Sequence, residues 1–157
     1  MADRSRFLVG VISDTHGLLR PEASAALQGV DFIIHAGDIC DPGILEELGV
    51  IAHVTAVRGN MDWGAWTKGL PATEVLELGN TSLYVLHDLD ELDLDPGAAG
   101  FAAVVHGHTH VPEIRWTRGV LFLNPGSAGP ARGSKPVSLA KVDVTTRGME
   151  PRILTLL

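Results

Sequence analysis

Three histidines stand within five residues of this sequence, at His106, His108 and His110. They follow the apolar run 102–105, which is typical of a short buried strand. Side chains alternate across an extended chain, so the three imidazoles could share one face where Gly107 breaks the strand into a loop. Neutral imidazole is the commonest metal ligand in proteins, whereas a polar loop with solvated imidazoles is the plainer interpretation. This segment therefore indicates either a metal site or an ordinary exposed loop.

Acidic, amide and imidazole side chains also stand at the ends of other apolar runs, and they favour the metal interpretation. Three successive runs each end near a glycine and an Asp or Asn. Taken singly, each of these groups is a common loop or turn residue. Together, the candidate ligands are Asp14, His16, Asp38, Asn60, His87, His108 and His110.

This set suits a pair of divalent cations. Two cations about 3.5–4 Å apart need about seven protein ligands, one of which is a bridging carboxylate. Nitrogen and oxygen donors without a thiolate suit Mn²⁺, Fe²⁺, Zn²⁺, Ni²⁺ or Co²⁺ better than Ca²⁺ or Mg²⁺. The sequence therefore predicts two divalent metal ions as cofactors.

The elements that would position these groups alternate between strand and helix up to about residue 60. Apolar runs covered on both faces predict strands over 7–12, 31–36 and 50–57. Pro21 begins a short helix to residue 28, and Asp41 caps a second helix from Pro42 to Leu48. In sheets with helical crossovers, ligands bind beyond the carboxyl ends of the strands. The candidate groups stand at those ends.

Strand signals dominate the rest of the chain. Strands are predicted over 73–78, 82–87, 102–106, 114–117, 120–124, 137–144 and 150–156. The acidic segment 90–99 predicts one or two helical turns, and no repeat or linker divides the chain. The sequence therefore predicts an α/β fold of one domain, residues 1–157, in which two packed sheets lie between helices.

The composition of the chain limits which binding partners and which cellular compartment we expect. The 157-residue chain carries a formal charge of −7, so a long nucleic acid is not expected as its partner. Cys40 is the single cysteine, which excludes a disulfide framework and favours a reducing interior. No apolar run approaches the length of a membrane span. We expect a cytoplasmic protein without a membrane partner, and the strand-rich sheet edges favour a homodimer.

The order of the motifs resembles that of the calcineurin-like metallophosphoesterases. The matching segments are Asp14-Thr-His16, Gly37-Asp38, Gly59-Asn60-x-Asp62, His87, Gly107-His108-Thr-His110 and Asn124-Pro-Gly-Ser127. Within that family the chain is most similar to the small prokaryotic phosphodiesterases, a group related to the eukaryotic retromer subunit of the same fold. The resemblance implies a four-layer α/β/β/α sandwich of two mixed sheets flanked by helices.

The resemblance also implies a division of the ligands and a reaction. Asp38 would bridge the two metals. The first metal would be held by Asp14, His16 and His110. The second metal would be held by Asn60, His87 and His108. A hydroxide bridging two metals, with Mn²⁺ favoured, would attack a small soluble phosphodiester or nucleotide. The residues expected to act in catalysis are Asp14, Asp38, Asn60 and His108.

Further residues are expected to bind substrate or to support the ligands. Asn60 and Arg132 are expected to contact the substrate, because an amide and a guanidinium can pair with phosphoryl oxygens. Asp62 and His106 fall outside the ligand set, and we expect them to orient ligand rings by hydrogen bonds.

Two positions depart from the family pattern. Met61 stands where many members carry a histidine that can protonate the leaving oxygen or contact the phosphate. Without that acid, leaving groups of low pKa should be favoured. Asp88 stands where a glycine usually follows the histidine of the fourth motif. Its carboxylate could crowd the second metal, add to its ligands or point away. Trp63 and Trp66 could stack on a substrate ring or pack in a loop.

A non-catalytic protein-interaction scaffold of the same fold is the alternative function. The retromer subunit exemplifies it, since that protein keeps the fold and has lost metal-site histidines. All seven ligand types are present in this chain, which favours a phosphodiesterase with a binuclear metal centre.

Overall fold

Two mixed five-stranded sheets form the centre of the fold in the computed structural model, which describes residues 5–157. In chain order the strands are β1 (Arg6–Ile12), β2 (Phe32–His35), β3 (His53–Ala56), β4 (Thr73–Leu78), β5 (Thr81–Leu86), β6 (Ala103–Val105), β7 (Glu113–Thr117), β8 (Val120–Asn124), β9 (Ser138–Thr145) and β10 (Gly148–Thr155). The first sheet has the order β10-β9-β1-β2-β3, and the second has the order β4-β5-β6-β8-β7. The predicted pair of packed sheets is confirmed. Residues 1–4 of the predicted domain lie outside the described residues.

The main core lies between the two sheets. Alternate residues of β9 are buried, so that Ala140, Val142 and Val144 face the second sheet. Leu121 and Leu123 of β8 meet them from the other side, together with Val105 of β6. Burying each such aliphatic side chain stabilises the fold by about 1.5–3 kcal/mol.

The two α-helices cover the outer face of the first sheet. They are α1 (Pro21–Ala26) and α2 (Pro42–Ile51), each with proline in its first turn. Asp41 caps α2, since its carboxylate accepts a hydrogen bond from Gly43 N at 2.9 Å. Ile44 and Leu48 of α2 pack with Ile33 of β2 in a second apolar cluster. None of the helices in residues 5–157 is long and apolar enough to cross a membrane.

The predicted start of the third strand is wrong. Val50 and Ile51 were expected in the strand, but they form the last turn of α2, and β3 begins at His53. The preference of β-branched residues for strands is weak, and tertiary packing can override it. Here Val50 is exposed and Ile51 packs on the cluster beneath α2, so the helical periodicity continues to its end.

The fourth layer, which covers the outer face of the second sheet, is a mostly irregular segment and not an α-helix. Residues 89–101 cover the outer face of the second sheet, where Leu89 and Phe101 pack on Tyr84 and its buried neighbours. The acidic part was predicted to contain one or two helical turns, and a single 3-10 turn forms at Leu89–Glu91. The apolar side chains between the acidic residues therefore complete the sandwich.

Parallel strands bring the candidate loops to one edge. Strands β1, β2 and β3 run parallel in the first sheet, as do β5, β6 and β8 in the second. The loops that follow them carry, in turn, Asp14, Asp38, Asn60, His87, His106 to His110, and Ser127. Because the carboxyl ends of parallel strands meet at the same edge, six sequence-distant segments supply one site.

Candidate metal centre

Asp14, His16 and His110 form the first group of facing ligand atoms. The Nε2 atoms of the two histidines lie 3.3 Å apart. Asp14 Oδ1 is 3.3 Å from His110 Nε2 and 3.7 Å from His16 Nε2. The three ligand atoms lie within 4.8 Å of one another, which allows them to bind one ion. The structure thus brings together the three residues predicted to hold the first metal.

Asp38 and His87 extend this group to a second position. Asp38 Oδ2 lies 3.3 Å from His87 Nε2 and 3.5 Å from His16 Nε2. The carboxylate therefore stands between a histidine of the first group and a histidine of the second, as expected of a bridging ligand. Asp14 also belongs to the second group, because its Oδ1 lies 3.9 Å from His87 Nε2.

Asn60 and His108, the other two predicted ligands of the second metal, lie beside this second group. Asn60 Oδ1 lies 3.1 Å from His108 Nδ1, so the two predicted ligands point at a common place. The His108 ring meets the His87 ring edge-on, with 5.2 Å between the ring centroids. His108 is also the most open of the site histidines, which leaves this position accessible from solvent.

The buried polar atoms of the centre fit divalent cations. Asp14 Oδ1 and His87 Nε2 are buried and make no hydrogen bond within the described residues. A buried polar atom without a partner costs about 1–3 kcal/mol, so such atoms are rare unless they bind something. Carboxylate oxygens and neutral imidazole nitrogens are ligands for Mn²⁺, Fe²⁺, Zn²⁺ and similar ions.

Hydrogen bonding sets the tautomer of His87 and the charge of Asp38. His87 Nδ1 donates to the carbonyl of Ala36 at 2.7 Å, so Nε2 keeps its lone pair for a metal. Burial disfavours protonation of His87, but Asp38 and Asp14 outweigh it and raise the pKa of the imidazole. Burial also raises the pKa of Asp38, yet the adjacent His87 ring and a hydrogen bond from Met61 N leave that pKa below its ordinary value. Asp38 is therefore an anion at neutral pH.

Most of the candidate ligands occupy the left-handed region of backbone conformation. The φ angles are 54° at Asp14, 46° at His16, 57° at Asp38, 72° at His108 and 65° at His110. A residue with a Cβ atom rarely adopts such angles, and each instance costs about 1–3 kcal/mol. The loops are therefore held in a conformation that their own residues disfavour, which requires strong restraints from outside.

Asp62 is one such restraint. Its Oδ2 accepts hydrogen bonds from Asp38 N and Gly59 N, both at 2.9 Å, and its Oδ1 accepts one from Cys40 N at 2.8 Å. The sequence predicted that Asp62 would orient a ligand ring. The structure instead places its carboxylate on backbone N–H groups, where it joins the loop of Asp38 to the loop of Asn60.

His35 is a second restraint that sequence reasoning did not identify. Its Nδ1 accepts a hydrogen bond from Gly37 N at 3.1 Å, so its Nε2 carries the proton and donates to Thr15 Oγ1 at 3.0 Å. Complete burial lowers the pKa of His35 to about 3, which keeps the ring neutral. The ring joins the Asp14 loop to the Asp38 loop.

Asn124 and Ser127 restrain the histidine-rich loop and the Asp14 loop. Asn124 Nδ2 donates to the Gly107 carbonyl and to Thr109 Oγ1, both at 3.0 Å. Ser127 Oγ donates to the Asp14 carbonyl at 2.9 Å. The sequence identified these residues as a motif without giving them a role. Their contacts depend on the pairing of β8 with β6, which the sequence does not give.

His106 and Asp88 lie on the outer side of His108. His106 is buried and its ring nitrogens make no hydrogen bond in the described residues; Nε2 faces Glu113 Oε1 at 3.8 Å. The structure therefore does not join His106 to a ligand ring. Asp88 Oδ2 lies 3.8 Å from His108 Nε2, the nitrogen opposite the one that faces Asn60. The carboxylate stands behind a candidate ligand rather than among the ligands.

A cavity of about 230 Å³ opens directly onto the candidate ligands. Arg132 and Met61 line it together with His16, Asp38, Asn60, His108 and His110. The guanidinium predicted to contact substrate is therefore on the rim of the site. Trp63 is exposed beyond that lining, whereas Trp66 packs against the apolar cluster under α2.

Comparisons with known proteins agree with this arrangement. The model for the calcineurin-like phosphoesterase superfamily domain matches residues 7–147. A probable metallophosphoesterase of Methanocaldococcus jannaschii is 41% identical over 133 residues, covering 76% of this chain and 67% of that protein. The phosphodiesterase YfcE of Escherichia coli K12 is 26% identical over 162 residues, covering 83% of this chain and 84% of that protein.

Solved structures share the whole architecture. A Streptococcus pneumoniae protein described as a predicted phosphoesterase superposes with a TM-score of 0.74 at 28% identity, covering 98% of this chain and 91% of that one. Vacuolar protein sorting 29 of Cryptosporidium parvum superposes with a TM-score of 0.76 at 21% identity, covering 96% of this chain and 98% of that one. At that identity the second likeness concerns the fold alone.

Proposed function

The chain belongs to the calcineurin-like phosphoesterase superfamily, a family of metal-dependent hydrolases of phosphoric esters, and from this premise we propose that it is a phosphodiesterase with a binuclear metal centre. The observation that carries the proposal is the convergence of carboxylate and imidazole atoms from separate loops around unpaired Asp14 Oδ1 and His87 Nε2. The name of the relative YfcE supports diester rather than monoester hydrolysis.

We assign two divalent cations to the centre. The first would be held by Asp14, His16 and His110, the second by Asn60, His87 and His108, with Asp38 shared between them. The position of Asp38 Oδ2 between His16 Nε2 and His87 Nε2 supports this division. Mn²⁺ is our first choice, with Ni²⁺, Fe²⁺, Zn²⁺ and Co²⁺ compatible with the same donors.

Bound cations would activate a water near neutral pH and neutralise negative charge on the phosphoryl group. The residues of the chain provide the rest. Arg132 on the cavity rim would pair with a phosphoryl oxygen, and the amide of Asn60 would orient the phosphate beside it. Met61 occupies the rim without a transferable proton. We therefore expect esters with leaving groups of low pKa, such as aryl esters, to react faster than alkyl esters.

The surroundings of the site favour a small substrate. The cavity of about 230 Å³ has room for a phosphate and part of one substituent. Asp88 and Asp90 line a neighbouring cavity that also contains His108, and they would repel the phosphates of a long polyanion. We propose a small soluble phosphodiester or a nucleotide as the substrate class.

The test is hydrolysis of bis-p-nitrophenyl phosphate by purified protein with added Mn²⁺. We expect a metal-stimulated rate that falls by about 100-fold or more in Asp38→Ala, because the shared ligand is lost. Asp41→Ala is the matched control, since Asp41 caps α2 on the same loop and faces Gly43 N rather than the site. Equal rates in the wild type and in Asp38→Ala would contradict the proposal.

A non-catalytic scaffold is the second candidate, favoured by the shared fold of vacuolar protein sorting 29. Metal content separates the two functions. The enzyme requires about two equivalents of metal after incubation with Mn²⁺. Sub-stoichiometric metal, with no increase after Mn²⁺ is added, would favour the scaffold.

A further inference from the structure

Strand β7 forms an exposed edge of the second sheet. Its five residues, Glu113–Thr117, pair with β8 on one side and are all exposed. Ile114 is 41% exposed and Trp116 is 50% exposed. An edge strand with large apolar side chains promotes pairing with another strand unless the edge is protected. Within β7 there is neither lysine nor proline to protect it.

The two apolar side chains continue the face that packs between the sheets. Ile114 lies opposite Leu123, and Trp116 lies opposite Leu121. Both leucines belong to the core between the sheets, and directly paired residues point to the same side of a sheet. Glu113 therefore points to the opposite side of the sheet. The apolar face of the sheet extends past the region that the other sheet covers.

The hairpin after β7 indicates which backbone groups face outward. Arg118 and Gly119 have φ angles of 50° and 80°, as in a two-residue turn of type I′. In such a hairpin the flanking residues, here Thr117 and Val120, form the hydrogen-bonded pair, and the pattern then alternates along the strand. The N–H and C=O groups of Ile114 and Trp116 consequently point away from β8. They are available to a further strand.

We infer that this edge is the interface of a symmetric homodimer, in which β7 of two copies pairs antiparallel about Ile114. In this register Ile114 lies opposite Ile114 of the other copy, and their outward backbone groups pair with each other. Within each strand Arg115 Nε already lies 3.6 Å from Glu113 Oε1. In the dimer Glu113 also lies opposite Arg115 of the other copy, once on each side of the two-fold axis, so the four charges alternate in sign across the new ladder. Trp116 lies opposite Pro112, which keeps apolar groups together. The two sheets thereby join into one.

Charge excludes the neighbouring registers. Pairing about Arg115 would place like charges directly opposite each other, and pairing about Glu113 would do the same. Pairing about Trp116 would place Arg115 opposite Thr117 and leave Glu113 without a cation on the other copy. If the two-fold axis lay between two consecutive residues of β7, the outward backbone groups of one copy would lie opposite the inward groups of the other. The register about Ile114 pairs the outward backbone groups of Ile114 and places unlike charges opposite each other. Trp116 N–H can donate to the Pro112 carbonyl, and the Trp116 carbonyl receives no bond in return because proline has no N–H.

The other edges in residues 5–157 lack this complementarity. Strand β10 contains Pro151 in its interior, where a proline interrupts the hydrogen-bond ladder, whereas Pro112 lies outside β7. Strand β4 carries Glu74 and Glu77 and no cation. Strand β3 is four residues long. The combination of apolar face, free backbone groups and self-complementary charges is found on β7.

The test compares dissociation constants by sedimentation equilibrium. The variants are Arg115→Glu, Glu113→Arg and the double swap Glu113→Arg/Arg115→Glu, with Arg147→Glu in the exposed β9–β10 turn as the control. We expect the wild type to sediment at twice the chain mass at concentrations of tens of micromolar. Each single reversal should weaken the dimer about tenfold or more, because two attractive pairs become repulsive. The double swap should restore wild-type affinity, and the control should leave it unchanged.

Circular dichroism of every variant verifies that the fold is kept, and the double swap provides a second measurement that does not depend on the single variants. A wild type that stays monomeric at about 100 µM would overturn the inference. A dimer with the same affinity in Arg115→Glu would locate the interface elsewhere. Single reversals that weaken the dimer without rescue by the swap would contradict the register about Ile114.

Discussion

Replacing Asp62 by asparagine should lower the free energy of unfolding of the metal-free protein by about 2–4 kcal/mol. The carboxylate of Asp62 accepts two N–H groups on Oδ2 and one on Oδ1. The amide oxygen can replace Oδ2, but the NH₂ group then faces Cys40 N–H, which loses its acceptor. An unsatisfied donor costs about 1–3 kcal/mol, and the two remaining bonds weaken because they are no longer charge-assisted. Relief of repulsion with Asp38 offsets about 1 kcal/mol at most.

The measurement is urea unfolding followed by tryptophan fluorescence in the presence of a chelator. Asp41→Asn is the matched control, because an asparagine caps a helix as well as an aspartate does and the side chain is exposed. We expect the control to change the free energy of unfolding by less than about 0.5 kcal/mol. If Asp62→Asn changes it no more than the control does, the hydrogen bonds of Asp62 do not restrain the loops.

Three further variants test other parts of the structure. Asp88→Gly should weaken Mn²⁺ binding measured by calorimetry by about 10-fold, because the carboxylate behind His108 is removed; unchanged affinity would contradict this. Gly107→Ala should lower the melting temperature, since a Cβ there would lie 2.6 Å from Asp14 Oδ2, whereas Gly49→Ala in α2 meets no atom within 4 Å and should not. The pKa of Asp143 is lowered by its arginine partners, so its stabilisation is present at neutral pH and lost as pH falls through that pKa. The difference in unfolding free energy between wild type and Asp143→Asn should therefore close below pH 3.8, and a constant difference down to pH 2 would contradict the ion pairing.

The sequence predicted which loops would lie together, because the order of motifs followed the ends of apolar runs. Asp14, Asp38 and His110 are far apart in the chain and meet through their parallel strands. Their roles as ligands stay predictions until metal is measured. The fold class followed from the same pattern of buried strands.

Other features depended on contacts that the sequence does not encode locally. His35 joins two loops only because β2 lies beside β1, and periodicity alone cannot give that order. The end of α2 at Ile51 depended on packing against the first sheet, which overrode the strand preference of its last residues. Likewise, the position of Asp88 behind His108 follows from the adjacency of two loops from neighbouring strands.

The left-handed backbone at Asp14, His16, Asp38, His108 and His110 has an evolutionary consequence. Glycine would occupy these positions with less strain, so the side chains that we propose as metal ligands are among the least favourable for the backbone at these positions. Under selection for shape alone, mutations at these positions would be tolerated early and some would make the molecule more robust. Loss of the ligand side chains would therefore relieve backbone strain in these loops, at the cost of the hydrogen bonds that Asp14 and Asp38 accept from neighbouring groups.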